Sequence, residues 1–391
     1  MIFLAKPRVA VVGGGLAGVP VANGLARRGI CQVTLIDLAG QHVYQPGFLY
    51  VPFGRVKPGS LVRDLRTVLH PAVQPVVGDA RAIDPEARAV HMADGRTVSA
   101  DWLVLAPGAE YDPALVPGFQ EGAQHFYSLE AALDLMAALH RFQGGDLVTG
   151  ITTLPYKCPP APLEFTLLLD DFLRRRGLRG RYRIRFLTPL GQLFGMKSLC
   201  ETYQPLFARR GIEVMTHFTV EEVDPGRHRL ISQEGEEVPY DVAVLVPPHR
   251  GTQMVRRSGL GDRNGWIPTD RETLRVVGCQ RLYALGDAAD LPVSKHGAGA
   301  HMQAEVVARS VAAEVEGREP AWEYAGSVFC ISDTGRGRGS LISYSYDRPP
   351  APPTPVPILH WAKLATNALY WRLVPRGLMP LHGYRRRRAT S

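Results

Sequence analysis

The 391-residue sequence predicts an α/β protein of two parallel-sheet units, the second lacking a nucleotide loop, with a C-terminal amphipathic helical segment. Three observations predict it. Short β-branched strands alternate with helical stretches, a glycine-rich turn follows the first strand, and the pattern restarts near residue 145 with prolines in place of glycines. The length is too great for one simple core and suits two or three packed units.

The first elements come in a fixed order. Val9–Val12 is a β-branched strand, Val19–Arg28 a helix, and Val33–Asp37 the next strand. Trp102–Leu105 is an apolar strand ending in Ala106-Pro107-Gly108. After the restart, 146–150 reads as a strand, 162–175 as a helix, 183–187 as a strand, and 241–246 as a strand ending in Pro247-Pro248. From Leu282 the chain returns to its first unit, and six prolines between Pro349 and Pro357 form a stiff linker before a last helix. The expected division is 1–110, 111–280, 281–348 and 349–391.

Gly13, Gly15 and Gly18 form GxGxxG between a strand and a helix. The first glycine permits the tight turn, the second admits a pyrophosphate to the backbone, and the third lets the helix pack closely. The helix N-terminus then faces phosphate charge. Asp37 ends the next strand, where a carboxylate accepts from ribose hydroxyls. Strand, glycines, helix and Asp37 together predict a Rossmann-like dinucleotide-binding unit. The alternative is a merely tight strand-to-helix turn.

The second unit departs from this pattern. Its loop, residues 151–162, carries four prolines and Tyr156, which cannot hug a pyrophosphate as glycines do. The strand after it ends in Leu187-Thr188-Pro189, with no acid for a ribose. A nicotinamide site is therefore not expected, and a bound cofactor must draw electrons from another donor.

Bulk composition narrows the partners. Hydrophobic residues at 45% and charged residues at 21% suit a folded chain, and a net charge of +8 suits anionic lipid or small anionic substrates. No nucleic-acid partner is expected, because basic residues do not interleave with aromatics; the run Arg385–Arg388 reads most simply as a solvated tail. The first strand begins at Val9, leaving no room for an export signal, and no apolar run approaches the roughly 18–20 residues of a membrane span. A cytoplasmic location is expected. Cys31, Cys158, Cys200, Cys279 and Cys330 make no CxxC pair, so no metal site or disulfide framework is expected.

Cys158 lies in the proline loop just before a helix N-terminus, whose dipole favours a thiolate, and Glu164 follows on the first turn. Cys330 lies in the separate apolar stretch Val328–Ser332. The other three cysteines read as packing residues.

Across nearly the whole chain the sequence resembles the sulfide:quinone oxidoreductases and the related flavoprotein subunit of flavocytochrome c sulfide dehydrogenase. The residues that carry the resemblance are the glycine loop, Tyr44-Gln45-Pro46-Gly47, and the block Cys158-Pro159-Pro160-Ala161-Pro162-Leu163-Glu164. They continue through Val246-Pro247-Pro248, Gly286-Asp287, Ser294-Lys295, Gln303-Ala304 and Cys330.

The resemblance implies FAD held at Gly13, Gly15, Gly18, Asp37, Gln45, Pro46, Ala106, Gly108, Gly286 and Asp287, with Asp287 on the ribityl-phosphate part. It implies Cys158 and Cys330 as the redox pair, which hydrosulfide attacks to leave a persulfide and a thiolate. Glu164 is implied as a proton carrier, Lys295 as a cation at the flavin pyrimidine edge, and a quinone as electron acceptor. Two departures stand out: a third family cysteine is replaced in the stretch Phe126-Tyr127-Ser128-Leu129, and no cysteine near His42–Gln45 could bind flavin covalently.

From Ile358 to Leu373, helical spacing puts Ile358, Trp361, Leu364, Ala365, Ala368 and Leu369 on one side and His360, Lys363, Thr366, Asn367 and Tyr370 on the other. Trp361, Trp371, Arg372 and Arg376 suit a peripheral helix on the cytoplasmic face of the cell membrane, where a lipid-soluble quinone is fetched. The alternative is packing on its own core or on a second subunit of a homo-oligomer. Three rival functions are a sulfide dehydrogenase flavoprotein feeding a cytochrome, a type II NADH dehydrogenase, and a redox-sensing flavoprotein without turnover.

Overall fold

The computed structural model describes residues 6–377 and 383–387; Met1–Ala5 and the last arginine of the basic run, Arg388, lie outside the described residues. The first sheet begins with β1 (Arg8–Val12), whose four valine and alanine residues are all buried. After the glycine turn comes α1 (Gly18–Arg28), stopped by Gly29 in the left-handed region at φ +66°. β2 (Gln32–Asp37), β3 (Val73–Val77) and β4 (Trp102–Leu105) extend the sheet in parallel on either side of β1.

The second sheet holds β5 (Gly145–Ile151), whose last five residues are buried without alternation, as in a strand covered on both faces. α2 (Ala161–Arg175) follows the proline loop, and twelve of its fifteen residues are buried. A helix buried on nearly every side lies inside the molecule, where its Glu164, Asp170 and Asp171 carboxylates need partners. β6 (Tyr182–Leu187), α3 (Lys197–Arg210), β7 (Ile212–Met215) and β8 (Val242–Val246) complete the unit, with β8, β5, β6 and β7 side by side and parallel.

β9 (Leu282–Ala284) then pairs in parallel with β4, returning the chain to the first sheet. α4 (Gly297–Val315) packs there beside α1. The hairpin of β10 (Val328–Gly335) and β11 (Arg338–Tyr344) lies across α2. The last helix, α5 (Pro357–Leu373), covers this hairpin.

α5 does pack on the protein, but through its polar side. His360, Lys363, Asn367 and Tyr370 point inward and make hydrogen bonds. The outward stripe is Ile358, Trp361, Ala365, Ala368 and Leu369, with Ile358 70% and Trp361 65% exposed. Among the described residues no helix is long and apolar enough to cross a membrane. The basic run differs from a solvated tail: Arg385 pairs with Glu272, Glu323 and Asp347, and Arg387 with Glu323.

Candidate active site

The glycine loop is built by close contacts. Gly13 sits at φ +105°, and a Cβ there would lie 2.1 Å from the Ala106 carbonyl oxygen. A Cβ on Gly18 would lie 1.9 Å from the Gly13 carbonyl, so its hydrogen lets α1 start against the turn. Gly15 is different: a Cβ there meets nothing within 4 Å, because it faces a cavity of about 350 Å³. Asp37 accepts from the Gly14, Ala39 and Gly40 amides at 2.9, 3.1 and 2.8 Å, which ties the loop to the end of β2.

The same cavity is lined by Gly13, Gly15, Asp37, Gln45, Pro46, Ala106, Gly108, Gly286 and Asp287, and farther along by Cys158 and Glu164. Gly286, at φ +71°, donates its amide to Gln303 Oε1 at 2.7 Å. The residues fit FAD: the open glycine backbone suits a pyrophosphate, the Asp37 carboxylate suits a ribose, and the Cys158 loop borders the same cavity. Gly18 shapes the loop without lining the cavity.

Cys158 takes the left-handed conformation at φ +54°, rare for a residue with a side chain, and its amide donates to the Lys295 carbonyl at 2.6 Å. Cys330 comes from β10, about 170 residues later. No disulfide joins them. The Cys158 thiol hydrogen-bonds the Cys330 sulfur, which holds Cys330 below the usual thiol range; Lys363 acts in the same direction, against burial and Glu164. Cys158 is held well above that range by the same hydrogen bond, by burial and by the Cys330 charge. The pair thus shares a proton, with Cys330 the easier thiolate. This reverses the expectation from the helix dipole, because the Cys330 sulfur and burial outweigh the dipole at Cys158, with the Glu164 carboxylate adding to the rise.

Glu164 is buried and accepts from Tyr50 Oη at 2.9 Å. Burial raises its pKa; Lys363, 3.7 Å away, lowers it, and Asp333 raises it. The Lys363 ammonium donates to the Ile331 carbonyl at 2.7 Å. It is held well above its usual range: burial opposes the charge, but Glu164, Tyr50, Cys330 and Tyr44 outweigh it. The asymmetry is physical. The lysine faces several anions or potential anions, whereas the carboxylate has one cation and a second carboxylate nearby. Asp333, fully buried, pairs with Arg55 at 3.6 Å and His360 at 2.9 Å.

Lys295 is not brought into the cavity lining. Its ammonium donates to the Asp287 and Ala289 carbonyls at 2.8 Å each and lies over the Trp266 ring, so it anchors the Gly286-Asp287 turn. The lysines that line the cavity are Lys157 and Lys363. Lys157 Nζ donates to Gln45 Oε1 at 2.8 Å and lies over Tyr111. The sequence does not mark Tyr50, Lys157 or Lys363 as site residues. Lys157 adjoins Cys158, a signal that was available; Lys363 reads as the polar face of a surface helix, and only tertiary packing turns it inward. Cys31 and Cys200 are buried, and burial pushes the Cys31 thiol up to about 11.

Comparison with known proteins bears on this geometry. The family model described as pyridine nucleotide-disulphide oxidoreductase matches residues 7–144. Sulfide:quinone oxidoreductase, mitochondrial, of Mus musculus is 27% identical over 354 residues, 88% of this chain and 79% of its own length. The sulfide:quinone oxidoreductase structure from Aquifex aeolicus has a TM-score of 0.88 at 22% identity, covering 98% of both chains. The chain resembles the sulfide:quinone oxidoreductases along most of its length. A shorter similarity, 29% over 303 residues and 72% of each chain, links it to an NADH dehydrogenase-like protein of Mycobacterium tuberculosis.

Proposed function

We propose that the chain oxidises hydrosulfide at Cys158 and Cys330 and passes the electrons to a quinone, with FAD in the glycine-loop cavity. The observation that carries this reading is the meeting of two cysteines from distant parts of the chain, Cys158 in the lining of the cofactor cavity and Cys330 beside it. FAD, when bound, supplies the two-electron carrier between thiols and quinone. The residues of this chain do the rest. Hydrosulfide adds to one sulfur of the oxidised pair, the S–S bond breaks, and the products are a persulfide and a thiolate. With the persulfide on Cys158, the Lys363 ammonium holds that thiolate at Cys330. Glu164, raised by burial and bonded to Tyr50, carries the proton.

We assign the FAD unit to 1–110 and 281–348, the cysteine-loop unit to 111–280, and membrane contact to 349–391. The outward stripe of α5 supports contact with a lipid surface: burying Ile358, Trp361 and Leu369 there would contribute about 1.5–3 kcal/mol each at full burial. Since Arg385 and Arg387 are already paired with carboxylates, the apolar stripe carries more of this contact than the basic run. The cytoplasmic face of the cell membrane is the proposed location.

NADH dehydrogenase-like relatives favour a second reading in which NADH is the donor. The loop speaks against it: Tyr156 is buried there, its hydroxyl donates to the Pro159 carbonyl at 3.1 Å, and a Cβ on Gly150 would lie 2.4 Å from the Leu187 carbonyl. Steady-state reduction of a short-chain quinone by the purified protein separates the two. Sulfide should drive it and NADH should not; turnover with NADH alone would overturn the proposal.

A further inference from the structure

The two cysteines meet where α2 lies against β10, Cys158 from the loop just before α2 and Cys330 from β10. This part of β10 and β11 carries the small buried residues Ser332, Thr334, Gly335 and Ser340, and the Tyr203 hydroxyl of α3 hydrogen-bonds Ser340 at 2.9 Å. At the far end lies a buried ionic clamp. Arg210, the last residue of α3 and 5% exposed, donates from Nη1 to Asp171 Oδ1 at 2.7 Å and to the Leu167 carbonyl at 3.0 Å. Its Nη2 donates to the Thr334 carbonyl at 2.8 Å, on the same strand as Cys330. The other Asp171 oxygen accepts the Arg336 amide at the hairpin turn.

We infer that Arg210 and Asp171 are positioning residues that set the register of the Cys330 strand against the Cys158 helix. The clamp stands roughly 13 Å along β10 from Cys330 and roughly 15 Å along α2 from its start, so one rigid interface joins it to the sulfurs. A buried ion pair of this kind adds little net stability over apolar side chains of the same volume, and fixing one arrangement is the use left to it. Gly335 shows how close the fit is: at φ +73°, a Cβ there would lie 2.7 Å from Asp171 Oδ2 and 2.9 Å from Arg210 Nη2. The inference rests on the proposed redox pair, but its test does not need turnover.

The full-length protein is equilibrated with mixtures of reduced and oxidised glutathione. Two thiols lose two protons and two electrons to one glutathione disulfide, giving the Cys158–Cys330 disulfide and two glutathione thiols. The disulfide is quantified by mass spectrometry after alkylation. Arg210→Met should lower the equilibrium constant for the protein disulfide about tenfold or more, because small misplacements of reacting groups are costly. Arg210→Lys should recover part of it. Arg176→Met removes an arginine at the end of α2 that bonds the Leu139 and His140 carbonyls and touches neither the clamp nor the hairpin, and should leave it unchanged. If Arg210→Met does not fold, Gly335→Ala, which pushes the turn off the clamp with its charges intact, should give the same loss. An unchanged constant in the folded Arg210→Met or Gly335→Ala protein would overturn the inference, as would an equal loss in Arg176→Met. Undiminished sulfide turnover in Cys158→Ser, with the Arg210 and Gly335 effects on the disulfide as expected, would instead count against the proposed function alone.

Discussion

Replacing Lys363 with Met removes the single cation near Glu164 while keeping the length of the side chain. If the carboxylate stayed charged, breaking this buried pair would cost about 3–5 kcal/mol. Glu164 can instead take up a proton, at about 1.4 kcal/mol for each pH unit above its pKa. Its folded pKa is already raised by burial, so the stability contributed by its protonated form is complete below the unfolded value of about 4.3 and is lost as pH rises through the folded value. Without Lys363 that loss deepens with pH. Lys363→Met should therefore destabilise the protein by about 3 kcal/mol at pH 8 and about 1 kcal/mol near pH 5. Cys330, Tyr50 and Tyr44 also face the ammonium, so urea unfolding is best compared in a Cys330→Ser chain. Adding Glu164→Gln should remove most of the pH dependence. A destabilisation that is the same at both pH values, or that Glu164→Gln leaves intact, would refute the reasoning.

Gly15→Leu should abolish FAD binding while the chain still folds, since a Cβ there meets no protein atom within 4 Å and the side chain enters the cavity; a stoichiometric flavin absorbance in that variant would show the loop is misassigned. Cys158→Ser and Cys330→Ser should each retain FAD yet lose most sulfide-driven quinone reduction, and near wild-type rates in either would remove that cysteine from the chemistry. Ile358→Glu with Trp361→Glu should weaken cosedimentation with liposomes but leave sulfide oxidation by a water-soluble quinone analogue unchanged. Equal sedimentation would place the lipid contact elsewhere.

The parts of this molecule legible in its sequence are those governed by local rules. GxGxxG between β1 and α1 and the unbroken apolar run of β8 each announce their element. The helix Lys197–Arg210 does not, because Pro205 interrupts it and its start lacks a capping side chain. The 3₁₀ segment Gln45–Phe53, which brings Tyr50 to Glu164, reads as loop because its apolar residues follow no helical period. The faces of α5 were separable by spacing, but which face turns inward was not. Lys363, His360, Asn367 and Tyr370 find buried partners contributed by chain segments far away in sequence, and no periodicity encodes a partner. The same limit applies to Lys295, whose long side chain settles on two carbonyls that only the folded turn presents.

The central claim is that electrons enter from sulfide through the cysteine pair and not from NADH. Anaerobic titration of the purified, FAD-loaded protein, followed at the oxidised flavin band, tests it most directly. Sulfide should bleach the band in the wild type and fail to do so in Cys330→Ser, while NADH leaves both spectra unchanged. Bleaching by NADH within the mixing time, or by sulfide to the same extent in the Cys330→Ser protein, would contradict the account.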